Sequence, residues 1–276
     1  MSVSLPTRGP VRLEGVRGLV CDVDGVVHAG DRVFDSAVES LNAWMHGGLR
    51  VVFLTNNASR GPGELAARLQ QDGVRMTPDQ VITGAMAGSH VLARTVDPGT
   101  RVLVAGSAAL DRAVRDQGLE VTSDPIEAGA VVQGYAPTVT LQLLHDAAHA
   151  VSRVATWVAT NRDAGLPTAW GVAPGNGAYV DAVARATGRE PLVAGKPETG
   201  SYTLALERLG LTAGEVAGIG DRLETDVLGA NRAGLRSVLV ATGVHGWPEV
   251  ERAAGEGASE KVPDHVVDDL SQLTFG

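Results

Sequence analysis

The sequence predicts an α/β protein: a Rossmann-like parallel-sheet core with a second α/β unit inserted into it. Three features carry that reading. Apolar stretches of strand length alternate with helix-length segments along most of the chain, the pattern of parallel strands joined by covering helices. Several of these stretches stop at polar residues, as at Cys21-Asp22-Val23-Asp24-Gly25, Leu54-Thr55-Asn56-Asn57 and Gly220-Asp221. In such sheets ligands sit beyond the carboxyl ends of the strands. The alternation between residues 84 and 190 is α/β in its own right, so it reads as an insert, with residues 1–83 and 191–276 as the surrounding domain.

Composition sets the outer limits. A chain of 276 residues has room for one large or two medium domains. With 44% hydrophobic and 20% charged residues it can bury a core, and its few aromatic residues leave that core to Val, Leu and Ala. A net charge of −9 argues against a duplex nucleic acid partner. It leaves room for a small anionic substrate, which a cation and a few amides can hold. The single cysteine, Cys21, excludes an internal disulfide and fits a reducing cytoplasm; within the first strand it reads as a packing residue. Residues 1–17 carry prolines and arginines and do not resemble a signal peptide. No run approaches the ~20 apolar residues of a membrane span. The expectation is a cytoplasmic protein without a membrane partner.

In order, Leu19 to Val23 is a buried strand stopped by Gly25, and Val26 to Val33, with Gly30-Asp31, is a small hairpin or flap. Asp35 to Gly47 is a helix with Ala37, Leu41, Trp44 and Met45 along one side. Leu49 to Leu54 is the second strand, and a helix over Gly63 to Gln71 follows Pro62. Val81 to Thr83 is a short apolar piece before a helix over Ala85 to Thr95. The insert supplies strands at Arg101 to Ala105, Ala130 to Gln133 and Trp157 to Ala159, with helices at Ser107 to Gln117, Thr140 to Ser152 and Gly177 to Thr187. A loop rich in Gly and Pro precedes the last of these helices. Then come a helix at Ser201 to Leu209, a strand at Val216 to Ile219, a helix at Thr225 to Ala233 and a strand at Ser237 to Ala241. A helix near Pro248 to Ala254 and a strand at His265 to Val267 close the chain.

Each polar strand end has two readings. Asp22 and Asp24 crowd two carboxylates at one place, which a divalent cation relieves, or they form an acidic turn without chemistry. Thr55 and the amides after it can cradle an oxyanion or cap the next helix. Asp221 and Asp226 stand about one turn apart at a helix start, where acids also serve as ordinary caps. Lys196, in Gly-Lys-Pro, would on its own be a solvated lysine. His28 follows the acidic pair and could reach the site, but a histidine in such a flap is expected more often at the surface. Trp170 and Trp247 fit core or rim packing better than contact with a partner subunit.

The order of these motifs is more informative than any one of them. Asp-x-Asp-Gly after the first strand, Thr after the second, Lys before a helix and Gly-Asp-x-x-x-x-Asp after a later strand resemble the haloacid dehalogenase (HAD) superfamily. Within it the chain looks most like the NagD-like phosphatases, which insert a large α/β cap between the second and third motifs. Phe53 to Ser59, Pro174-Gly175-Asn176-Gly177 and Ala194-Gly195-Lys196-Pro197 carry that closer likeness, which spans Leu19 to Thr242.

The resemblance implies an HAD core with a cap over residues 84–190, and a Mg²⁺-dependent phosphatase of small phosphate monoesters. Asp22 would be the nucleophile and Asp24 the general acid and base. Thr55 with the amide of Asn56, and Asn57 beside it, would hold the phosphoryl group. Lys196 would neutralise charge between phosphate and Asp22, with Asp226 orienting Lys196 or a metal-bound water. Mg²⁺ would take the Asp22 carboxylate, the Asp24 backbone carbonyl and Asp221. The cap would set leaving-group specificity through Asn161, Asp163, Leu166 and Pro167. In relatives that hydrolyse pyridoxal phosphate a histidine stands about where Leu166 does; Leu166-Pro167 looks more like the glycerol-3-phosphate and phosphoglycolate phosphatases. A broad sugar-phosphate or nucleotide phosphatase, a phosphotransferase and a non-catalytic phosphate-binding regulator are the alternatives. Caps of this kind also imply a homodimer through the cap.

Overall fold

The computed structural model describes residues 4–154, 156–168 and 170–276, with the side chain of Pro167 left out. Its chain divides into two compact units. The first holds Met1–Thr55, Pro62–Ile82 and Lys196–Gly276; the second holds Asn56–Gly61 and Thr83–Gly195.

The first unit is built on a seven-stranded sheet. Its strands are β1 (Thr7–Arg8), β2 (Gly18–Cys21), β3 (Arg50–Leu54), β4 (Val81–Ile82), β5 (Val216–Gly220), β6 (Arg236–Val240) and β7 (His265–Val267). They lie in the order β1-β7-β6-β5-β2-β3-β4, and every pairing is parallel. Apart from Arg50, Arg236 and Ser237 at their starts, the central strands are apolar because both faces are covered. Alternate residues part between the faces: Leu19, Cys21, Val51 and Phe53 join the cluster around Leu41 and Leu69, whereas Val20, Val52 and Leu54 pack with Ile82 and Tyr202. Register then places the site. Cys21 pairs with Ile219 on one side and with Phe53 on the other, so Asp22, Thr55 and Asp221 leave the sheet at one rim.

The second unit has its own five-stranded parallel sheet, ordered Leu192–Val193, Thr156–Ala159, Ala130–Gln133, Arg101–Ala105, Glu120–Thr122. Two apolar clusters fill its faces, one around Leu92, Val102 and Leu110 and one around Val131, Trp157 and Val180. Three of its helices are capped by the side chain just before them: Thr83, Ser107 and Thr140 accept the amides of Met86, Leu110 and Leu143.

Several elements differ from expectation. The edge strands Thr7–Arg8, Glu120–Thr122 and Leu192–Val193 are too short to show a pattern, and the first two are also largely polar. Pairing of Leu192–Val193 with Thr156–Ala159 carries residues 191–195 into the second unit. The Gly- and Pro-rich loop is an antiparallel hairpin, Gly165–Thr168 with Gly171–Pro174. The helix expected over Thr225 to Ala233 is a π-helical turn, Leu223–Val227, followed by a short α-helix, Leu228–Arg232. There the Arg222 amide donates to the Asp226 carboxylate, a bond that competes with regular helix. Among the described residues no helix is long and apolar enough to cross a membrane.

Candidate active site

The ladder hydrogen bonds continue just past the strand ends: the Asp22 amide donates to Ile219 and the Thr55 amide to Ile82. These bonds fix the main chain from which the polar side chains project. Asp22, Thr55, Lys196, Asp221 and Asp226 are all buried. Lys196, which follows the insert in sequence, bridges two acids: its Nζ lies 2.7 Å from Asp22 Oδ1 and 2.6 Å from Asp226 Oδ1, and donates more weakly to the Leu54 carbonyl. Asp226 is fixed in turn by the Arg222 amide and the Thr225 hydroxyl on Oδ2, while Tyr202 donates to its carbonyl. Gly220 permits this packing, since a Cβ there would lie 2.2 Å from the Asp226 side chain. Ligand atoms of Asp22, Asp221 and Asp226 all fall within 4.8 Å of one another.

Burial and pairing oppose each other in this cluster. Loss of water pushes the Asp22 carboxyl up to about 8, against the pull of the Lys196 ammonium. Burial also works against the charge on Lys196, but Asp22 and Asp226 together hold its pKa well above the usual lysine value. Asp221 is raised by burial and by the neighbouring Asp226.

Asp221 is held by a loop that sequence reasoning missed. Val244 donates its amide to Asp221 Oδ2, and the His245 amide donates to the Asp221 carbonyl. Thr242 Oγ1 ties the same loop to the Gly25 carbonyl at 2.6 Å. Gly25, at φ +86°, and Gly243 both press on this carboxylate: a Cβ would stand 2.2 and 2.1 Å from Asp221 Oδ2 respectively. The only prior signal was glycine itself, in Asp-Gly-Val and Thr-Gly-Val. Asp221 Oδ1 is buried and has no hydrogen-bond partner among the described residues. An orphaned carboxylate oxygen on one of three clustered acids, with one ammonium beside them, suits a hard divalent cation.

Asp24 is placed differently from Asp22. Its side chain is 76% exposed, and its carboxylate approaches the His28 ring rather than the acid cluster. His28, expected at the surface, is 2% exposed, because the turn after Asp24 folds it under the acid and against Asp72.

The remaining predicted residues lie in the second unit. Asn161 is buried, with its amide nitrogen donating to the Asn56 carbonyl and its oxygen accepting the Asp163 amide. Its side chain therefore braces main chain. Asn56 Nδ2 reaches the Asp163 carboxylate at 3.3 Å, and Asn57 Oδ1 accepts both the amide and the hydroxyl of Ser59. Leu166 is half-buried in the hairpin; the side chain of Pro167 lies outside the described residues. Trp170, expected in core or rim packing, is 98% exposed at the hairpin's end. Trp247 is half-buried beneath the Arg8 guanidinium, 5.5 Å from its ring.

Residues 19–120 match the haloacid dehalogenase-like hydrolase family, and residues 193–273 match the HAD-hydrolase-like family. The acid sugar phosphatase of Staphylococcus saprophyticus is 31% identical over 240 residues, 87% of this chain and 92% of that protein. The chain belongs to the haloacid dehalogenase-like hydrolases. Within the superfamily it is also similar to the D-glycerol 3-phosphate phosphatase of Mycobacterium tuberculosis, 43% identical over 234 residues and 84% of this chain. The aligned region spans 65% of that protein's length. A crystal structure of glycerol phosphate phosphatase from the same organism, in complex with magnesium, superposes with a TM-score of 0.85 at 38% identity, covering 94% of this chain and 76% of that one. The HAD assignment accounts for the order of the motifs along the chain and for their convergence at the rim of the first unit's sheet.

Proposed function

We propose that this HAD-family protein is a Mg²⁺-dependent phosphatase of small, non-aromatic phosphate monoesters. The observation that carries the reading is the buried Asp22–Lys196–Asp226 bridge beside Asp221. It offers a carboxylate nucleophile, a cation to match the phosphoryl charge and an acid cluster suited to a divalent ion.

Asp22 attacks phosphorus in line; the new O–P bond forms as the ester O–P bond breaks, giving an aspartyl phosphate. Asp24, turned to solvent, delivers a proton to the departing alkoxide. It then takes one from the water that hydrolyses the intermediate, releasing inorganic phosphate and restoring Asp22. Thr55 and the amides that follow it, of Asn56 and Asn57, hold the phosphoryl oxygens. Lys196 stays charged through the cycle because Asp226 remains its partner when Asp22 is esterified. The Asp22 carboxylate, the Asp24 carbonyl and Asp221 would hold Mg²⁺, which when bound supplies positive charge for the phosphoryl oxygens.

In this reading the second unit serves as the cap, and its residues Asp163, Leu166 and Pro167 would set leaving-group specificity, with Asn161 keeping their loop in shape. Leu166 offers an apolar contact in place of a charged one. With the D-glycerol 3-phosphate phosphatase likeness, this favours glycerol 3-phosphate or phosphoglycolate. The acid sugar phosphatase likeness supports sugar phosphates as the second reading. Two further proposals follow. A single buried cysteine fits a cytoplasmic protein. The exposed Trp170 and Val172 on the cap hairpin fit a homodimer; sedimentation velocity should give twice the chain mass, and Trp170→Ser should give the monomer.

The deciding experiment assays a panel of esters with Mg²⁺: glycerol 3-phosphate, phosphoglycolate, pyridoxal phosphate, sugar phosphates and nucleoside monophosphates. Small alkyl esters should lead. Asp22→Asn should lose turnover while keeping its circular dichroism, and chelation should stop the wild type reversibly. Turnover by Asp22→Asn at the wild-type rate would overturn the mechanism, and a flat panel would overturn the substrate preference.

A further inference from the structure

His28 takes no part in the chemistry described so far, yet it is one of the few buried polar residues of the first unit. Its ring lies between two carboxylates. Nδ1 is 2.8 Å from Asp72 Oδ2, and Nε2 is 3.4 Å from Asp24 Oδ1. Two different elements define the ring's place. The turn from Val23 to His28 is closed by the Val27 amide on the Val23 carbonyl and the Gly25 amide on the His28 carbonyl, 2.7 Å away. That turn brings the histidine back beneath Asp24. Asp72 comes from just beyond the helix Pro62–Gln71, and its own amide bonds to Arg68. The ring is therefore clamped from the side remote from Asp24.

Counting protons orients the imidazole. A carboxylate at Asp72 only accepts, so Nδ1 carries a hydrogen and Nε2 is the atom turned to Asp24. One further hydrogen between Nε2 and Asp24 makes the contact attractive, whichever of the two atoms owns it. Among the described residues, no hydrogen bond or ion pair beyond His28 restrains the Asp24 side chain. Its side chain projects into solvent from a turn, and an exposed carboxylate samples several rotamers. A general acid works only when held within reach of one oxygen.

We propose that His28 is the positioning residue for Asp24: anchored by Asp72, its imidazole holds the Asp24 carboxylate where it can pass a proton to the departing ester oxygen. The inference rests on the reading of Asp24 as general acid. A buried histidine that merely fills space is the competing account, and the two differ in a quantity that stability does not move. An alkoxide must be protonated as it leaves, whereas p-nitrophenolate leaves as the anion. The kcat/KM value covers steps only through leaving-group departure. The ratio of kcat/KM for an alkyl phosphate to that for p-nitrophenyl phosphate therefore reports the acid step alone. It is independent of the folded fraction of a variant.

The test measures that ratio, with Mg²⁺ saturating, for the alkyl ester the wild type turns over best. His28→Ala should lower the ratio by about 10- to 100-fold, the range typical of removing a group that orients a catalytic one. His28→Gln, whose amide nitrogen can reach the place of Nε2, should recover part of it. His28→Asn keeps only the Asp72 side of the clamp and should not. Asp72→Ala should lie between His28→Ala and the wild type. Asp24→Asn is the control and should lower the ratio furthest. An unchanged ratio in Asp24→Asn would remove the general acid, and this proposal with it. A lowered ratio in Asp24→Asn beside wild-type ratios in the His28 variants would overturn the His28 role alone. If His28→Ala does not fold, the Asn and Asp72 variants decide the question in the same way.

Discussion

Asp22, Asp221 and Asp226 place three carboxylates around the single ammonium of Lys196, all with little access to water. This imbalance has a sign that can be measured. Asp22 rises from 3.8 to about 8 in the folded protein, chiefly by burial, so the native state holds a proton there that the unfolded chain gives up. A carboxyl raised on folding costs nothing below its unfolded pKa and its full penalty above its folded one. The raised Asp221 acts in the same direction. His28, raised mainly by its contact with Asp24, adds stability that is lost as pH climbs through its folded pKa. The two acids predict that the metal-free protein loses stability between about pH 4 and pH 8, and His28 adds to the loss only above about pH 6.5. Mg²⁺ should restore most at the alkaline end. Lys196→Met leaves the acids uncompensated and should cost about 3 to 5 kcal/mol at pH 8. The cost should shrink at pH 5, where the acids can take up protons. Urea unfolding at the two pH values checks both statements; a Lys196→Met penalty that grew toward acid would refute them. The identity of the acids was legible in the sequence, because charged residues at the end of an apolar strand need a reason. The burial of His28 was not, since it depends on Asp72, 44 residues away.

Single elements show where such reading stops. Strands β2, β3, β5 and β6 declared themselves because a strand covered on both faces reads as a near-continuous apolar run, interrupted here only at the starts of β3 and β6. Two-residue edge strands carry too little pattern, and glycine with proline concealed a hairpin. The π-helical turn was illegible for a different reason. Its shape answers the hydrogen bonds of Asp226 rather than any propensity of Leu223 to Val227. The loop after β6 belongs to the same class, since Thr242 to His245 has no helical or strand period, yet it sets the position of Asp221. Gly243→Ala tests the loop as an element. The added Cβ would meet Asp221 at 2.1 Å, so the carboxylate must swing away while the sheet stays intact. The Mg²⁺ concentration for half-maximal activity should rise by about 10-fold or more, with melting changed little. An unaltered Mg²⁺ requirement would show that the loop does not position the carboxylate.

At the scale of the whole molecule, the insertion is the feature that alternation revealed most directly, because a second set of strands and helices needs a second core. Each apolar cluster draws its residues from one unit: Leu19, Phe53 and Ile219 belong to the first, Val102, Leu110 and Trp157 to the second. The predicted metal ligands all belong to the first unit as well. A ligand that binds only the native form of one cooperative unit stabilises that unit by mass action and leaves the other where it was. Calorimetry of the metal-free protein should therefore show two transitions. Mg²⁺ at about 100 times its Kd should stabilise only the first unit's transition, by about 2.7 kcal/mol. Tryptophan fluorescence can assign the two, since Trp44 and Trp247 report on the first unit and Trp157 and Trp170 on the second. Phenylalanine at one pair leaves the other as the probe. Asp221→Asn should abolish the shift without touching the second transition. A single transition that Mg²⁺ moves as a whole would mean that the inserted unit unfolds with its host, and stability could then not be apportioned between the two cores.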